Sequence, residues 1–155
     1  MHPHPTHASA ARHQRSRGFS LLEMVFSLTI VGILSSIAYP AFSSTLASAR
    51  RSDALVSLMK LQTLQERYRS QHESYGDLAQ IGMDALSTGR HYELTLLAAS
   101  PTGYSVLASA IGAQRSDTAC RHLRLTIDGL NLVHASGDTD ATANPPTLNR
   151  RCWSQ

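Results

Sequence analysis

Residues 17–42 read RGFSLLEMVFSLTIVGILSSIAYPAF, and this stretch constrains the fold more than any other. From Phe19 to Phe42 the only charge is Glu23, and Met24 to Phe42 is nineteen residues without one. A helix needs about 20 apolar residues to cross roughly 30 Å of hydrocarbon, so the run reads as a membrane helix. A secretory signal is the alternative, and Ala47-Ser48-Ala49 supplies a small-residue cleavage pattern for it. Two features oppose that alternative. The run exceeds the roughly 7 to 15 apolar residues of such a signal. A carboxylate inside it also costs roughly 2.5 to 3.5 kcal/mol at mid-membrane.

Upstream, residues 1–18 are rich in His, Arg and Ser and have no apolar periodicity, so they read as a leader outside any core. The 155-residue chain carries a formal charge of +3, and Arg12, Arg15 and Arg17 of the leader account for it. The remainder holds eleven basic and eleven acidic residues, so overall basicity is no argument for a nucleic-acid-binding head. Hydrophobic residues at 42% and charged residues at 16% fit one ordinary globular domain with appendages, not a collagen-like or broadly disordered chain. Arginines stand on both sides of the apolar run, with Arg50 and Arg51 after it, so flanking charge orients it only weakly.

The string Arg17-Gly18-Phe19-Ser20-Leu21-Leu22-Glu23 resembles the N-terminal motif of the type IV pilin superfamily: a basic leader ending in Gly, then Phe, then apolar residues with Glu fifth in the mature chain. The resemblance implies that Gly18 is the last leader residue removed by prepilin peptidase, and that Phe19 becomes the N-methylated terminus. It further implies single-pass, N-in storage in a bacterial inner membrane, with the head in the periplasm until assembly into an extracellular pilus. In the family, Glu23 would pair with the amino terminus of a neighbouring subunit. On the residues alone, its partner is equally its own terminus four positions away, or the positive end of the helix dipole. Gly32 and Pro40 predict a break or weak point in the helix, because proline lacks an N–H and glycine costs about 1 kcal/mol relative to alanine.

Beyond Pro40, Leu55, Leu58, Leu61, Leu64 and Tyr68 recur at spacings of three and four, predicting an amphipathic continuation of the helix to about His72. Arg50, Arg51, Asp53, Lys60, Glu66, Arg67 and Arg69 are expected on its wet faces. Residues 74–90 read as a loop with one helical turn at Asp84 to Leu86. Strand patterns follow at His91 to Ala98, Gly103 to Ile111 and Arg121 to Ile127, and Asp128-Gly129 offers a hairpin turn into Leu130 to His134. The expected class is α+β: a long N-terminal helix, half membrane and half amphipathic, packed on three or four antiparallel strands, as in the pilin fold. The expected division is leader 1–18, membrane or filament-core helix 19–43, and head 44–155.

Cys120 and Cys152 suggest one disulfide in an exported head, matching the family's C-terminal bridge, with zinc as the weaker rival for want of a CxxC pair. Asp117-Thr118-Ala119-Cys120 and Cys152-Trp153 resemble the PilE-like minor pilins in particular. Asp138-Thr139-Asp140 lacks the glycine and terminal glutamate of a calcium loop and reads as solvated. No phosphate loop, GxSxG or HExxH occurs, so no enzyme, cofactor or metal site is expected. The implied function is a structural, minor subunit of a type IV pilus serving twitching, adhesion or DNA uptake. Its implied partners are other pilins, prepilin peptidase, the inner-membrane assembly machinery and, before assembly, the membrane. Alternatives are a type II secretion pseudopilin and a DNA-binding competence pilin. In the last, Arg115, Arg121, Arg124, Arg150 and Arg151 would contact phosphate. Asp117, Asp128, Asp138 and Asp140 among them favour a solvated surface instead.

Overall fold

The structure, a computed structural model, describes residues 19–153. The leader and Gly18 lie outside them. The elements are α1 (Leu21–Arg69), β1 (Tyr92–Ala99), β2 (Gly103–Ala110), β3 (His122–Asp128), β4 (Asn131–Gly137) and α2 (Pro146–Cys152), with 3-10 turns at Gly112–Ser116 and Thr118–Cys120. The chain divides into two compact units between Tyr39 and Pro40.

In the first unit the described residues are the apolar start of α1, where Leu22, Val25, Phe26, Ile30 and Leu34 are all exposed. A helix apolar on every side needs lipid or other helices around it. Gly32 and Pro40 lie inside α1, which is continuous, so the break expected there is not an interruption of the helix. The physical reason is proportion. One missing N–H and one flexible residue weaken a helix of 49 residues locally without ending it.

In the second unit the four strands form an antiparallel meander in the order β1-β2-β3-β4. The 3.6-residue period of α1 places Ala54, Leu58 and Leu61 in the core with Tyr92 and Leu94 of β1, Val106 and Ala108 of β2, and Leu123 and Leu125 of β3. Each such leucine contributes about 1.5 to 3 kcal/mol by leaving water. The alternation expected for β3 holds in the structure: Leu123, Leu125 and Ile127 are buried, while His122, Arg124 and Thr126 point to the opposite side. Gly129 has φ of 58°, so the β3–β4 connection is a two-residue hairpin that a side chain would strain. A bulge between Leu96 and Ala98 interrupts the β1–β2 register.

Two expectations are corrected. Asp84 to Leu86 form no helical turn; Leu86 bridges Glu93 in antiparallel fashion, and the local turn lies earlier, where Met83 N–H donates to Leu78 O at 2.8 Å. Arg51 is not on a wet face but buried, and Asp53 is half-buried, because each meets a specific partner from the loops that cover that side of α1.

Candidate functional site

Two regions carry the residues singled out in the sequence. The first is the start of α1. Phe19 is exposed, and Glu23 stands in the first turn, where the helix dipole favours a carboxylate. Ser27 Oγ donates to Glu23 O and Thr29 Oγ1 to Val25 O, both at 2.8 Å, and Ser36 Oγ donates to Ile33 O at 2.7 Å. Returning hydroxyls to backbone carbonyls hides their polarity, which hydrocarbon requires. The first half of α1 is long and apolar enough to cross a membrane by length and composition, and its apolar side chains are exposed.

The second region is the C-terminal half of the head. Cys120 and Cys152, both buried, form a disulfide with Cα atoms 5.4 Å apart. The bridge holds α2 against the 3-10 turn before β3, and side chains extend the seam: Asn144 Nδ2 donates to Ala119 O at 2.6 Å, Asn149 Nδ2 to His134 O at 2.8 Å, and Trp153 Nε1 to Ala135 O at 3.1 Å. These contacts satisfy part of the β4 edge that an open sheet would leave bare.

Beneath this segment lies a buried polar network absent from the sequence reading. Arg51 grips Asp117 in bidentate fashion, Nε to Oδ2 at 2.5 Å and Nη2 to Oδ1 at 3.2 Å, with side chains only 7% and 9% exposed. Arg51 Nη1 also donates to Arg151 O at 3.3 Å. Gln114, fully buried, donates to Ala47 O and Tyr92 OH, each at 3.0 Å. Burial pushes the Tyr92 phenol up to about 12, so it serves as a neutral partner throughout the physiological range. Only the Arg and Asp residue types were legible beforehand; their pairing across 66 positions was not.

Of the five arginines, Arg121 and Arg124 reach the same loop after β4, and Arg115 meets Arg121 through its main-chain oxygen. Arg124 lies on the outer side of β3, Arg121 precedes that strand, and Arg121 Nε donates to Arg115 O at 3.1 Å. Arg150 and Arg151 occupy the last turn of α2. Arg121 Nη1 donates to Asp138 Oδ1 at 2.8 Å, and Arg124 Nη2 to Asp140 O. His122, between the two arginines, meets Ser109 Oγ through Nδ1 at 3.0 Å. Burial holds its ring below the usual histidine range, with Asp140 opposing and Arg121 reinforcing that effect.

Comparison with known proteins bears on both regions. Residues 40–124, more than half the chain, match the model of a family described as type IV minor pilin ComP, DNA uptake sequence receptor. Residues 13–39 match the prokaryotic N-terminal methylation motif. The chain is 37% identical over 97 residues to the type IV major pilin protein PilA of Myxococcus xanthus, covering 62% of this chain and 39% of that one. It is 32% identical over 88 residues to a fimbrial protein of Moraxella nonliquefaciens, covering 55% of this chain and 56% of that one. The chain therefore spans well under two thirds of the length of these relatives.

Proposed function

Because this chain belongs to the type IV minor pilin family, we propose that it is a minor subunit of a type IV pilus whose head contacts DNA during uptake. In this reading prepilin peptidase cuts after Gly18 and Phe19 is N-methylated. The apolar half of α1 stores the protein in the inner membrane, N-terminus inside and head in the periplasm, until the assembly machinery transfers it to the fibre. Glu23 pairs with the amino terminus of another pilin, since a carboxylate leaving water for a helical core needs an opposite charge.

The description of the matching family names DNA uptake, which adds DNA contact to the structural-subunit reading that composition favoured. The observation that carries it is that Arg121 and Arg124, both within the matched residues, reach the same loop after β4, with Arg115 beside Arg121 in one open depression. Guanidinium groups bind phosphate through paired N–H donors, and each phosphate neutralised contributes a salt dependence of about 0.9 in log affinity per log salt.

The test is a salt titration of duplex DNA binding by the full chain in detergent micelles. It is run beside a variant with Arg115, Arg121, Arg124, Arg150 and Arg151 changed to Gln. The reading expects a slope of about three to five phosphates, lost in the variant. A weak, salt-insensitive response in both would leave the protein as a fibre component without a DNA-contacting head.

A further inference from the structure

Arg121 and Arg124 are already engaged in the free protein, both by the loop that follows β4. Asp138 supplies a carboxylate oxygen to Arg121 at 2.8 Å, and Asp140 supplies its main-chain oxygen to Arg124. That loop is closed at its base. Ser136 and Ala143 form a parallel bridge, Asn144 N–H donates to Ser136 O at 2.9 Å, and Thr142 N–H donates to Thr139 O at 3.1 Å. At Gly137 a Cβ would stand 2.7 Å from Thr142 Cα, so only glycine lets the loop turn back this tightly. The acidic tip is thus held beside the outer side of β3 by backbone geometry.

The contacts have the chemistry of a bound phosphodiester. An anionic oxygen meets one guanidinium and a second oxygen meets its neighbour, as two oxygens of a nucleic-acid backbone would. Arg124 Nε is buried without a hydrogen-bond partner among the described residues, and its Nη2 is taken by Asp140 O. An open depression of about 480 Å³ adjoins Arg121, lined also by Glu93, Ser109, Arg115 and His122. The Arg121 and Asp138 side chains are 33% and 64% exposed, and exposed pairs are worth only about 0 to 1 kcal/mol, so a multivalent anion can displace this one.

Resting on the DNA-contact reading above, we propose that Asp138 is an internal phosphate mimic that occupies Arg121 until the DNA backbone displaces it. The displacement subtracts a fixed amount from every binding event. A ligand that engages several arginines at once overcomes it, whereas an isolated phosphate does not. Asp138 therefore lowers the affinity of this surface for anions by the worth of one exposed ion pair. Asp140 acts differently: its contact is through the main chain, and its carboxylate contributes only local negative charge.

The test compares three full-length proteins in detergent micelles, titrated with duplex DNA at low salt: wild type, Asp138→Asn and Asp128→Asn. Asp128 lies at the far end of β3 from His122, so its variant removes the same charge without touching an arginine. Asp138→Asn is expected to bind about two- to fivefold more tightly than wild type, the range set by one exposed ion pair. Asp128→Asn should gain less, and adding Arg121→Gln should erase the Asp138→Asn gain. If wild type binds and Asp138→Asn is no tighter than Asp128→Asn, the mimic is refuted while the DNA reading stands. If none of the proteins binds duplex DNA, the DNA reading falls and the mimic with it.

Discussion

Asp53 and Ser87 meet at 2.5 Å, Ser87 Oγ donating to Asp53 Oδ2, and the same carboxylate accepts the Gly89 N–H at 2.8 Å and the His91 N–H at 3.3 Å. One acidic side chain of α1 thereby organises the turn that leads into β1. Arg90, within that turn, has φ of 58°, a conformation a non-glycine residue holds only when its surroundings impose it. Replacing Asp53 with Ala strands these donors. Hydrogen bonds to charged groups contribute about 1.5 to 3 kcal/mol, so Asp53→Ala should lose at least about 2 kcal/mol, read as a lower denaturation midpoint. An unchanged midpoint would mean that the turn is held by β1 alone.

The Arg51–Asp117 pair makes a sharper prediction, because breaking and replacing a buried pair have different consequences. Removing one partner leaves an uncompensated buried charge, at a cost of about 3 to 5 kcal/mol, while exchanging both for apolar residues is often close to neutral. Arg51→Met and Asp117→Leu should each destabilise the head more than the double variant does. A double variant as unstable as both single losses combined would contradict this.

Most of the fold was legible because its signals are local. The leucine spacing placed Leu58 and Leu61 in the core, the alternation of β3 set its faces, and Asp128-Gly129 marked the hairpin. What escaped is polar and distant. Arg51 and Asp53 stand on the helix where solvated charges stand, and only the folded chain brings Asp117 and the turn at Ser87 against them. Gln65 is similar: its amide accepts the Gly76 N–H and donates to Gly76 O, a bond pair that no periodicity announces. The arginine surface was legible as a set of residue types. Its division between the β3 surface and α2, and its engagement by residues 138–140, depend on how the C-terminal segment returns to the sheet.

Protonation should weaken the head on mild acidification. His122 and His134 both have pKa values lowered chiefly by burial, and His134 stacks on Trp153 with ring centres 4.2 Å apart. The folded state prefers both rings neutral, while the unfolded chain takes up protons near the ordinary value of about 6.5. Their contribution is therefore complete above about pH 6.5 and is lost as pH falls through the lower folded values. The denaturation midpoint should drop between about pH 7.5 and 5, less steeply in His134→Gln. A flat profile in the wild type would contradict the assignment.

Glu23 separates insertion from assembly. Glu23→Leu removes the only charge between Phe19 and Phe42, so membrane insertion should be unchanged or improved. If Glu23 supplies the counter-charge of a partner's amino terminus, incorporation into fibres should nevertheless fall. Incorporation at the wild-type level would reduce Glu23 to a marker of the membrane interface.

The central claim, that this chain is a processed subunit of a pilus, is tested most directly by mass spectrometry of fibres sheared from cells expressing it. The account predicts a chain beginning at N-methylated Phe19, with Cys120 and Cys152 joined, present in the fibres at low abundance beside a major pilin. A protein absent from the fibres, or retained in the membrane with residues 1–18 attached, would contradict it.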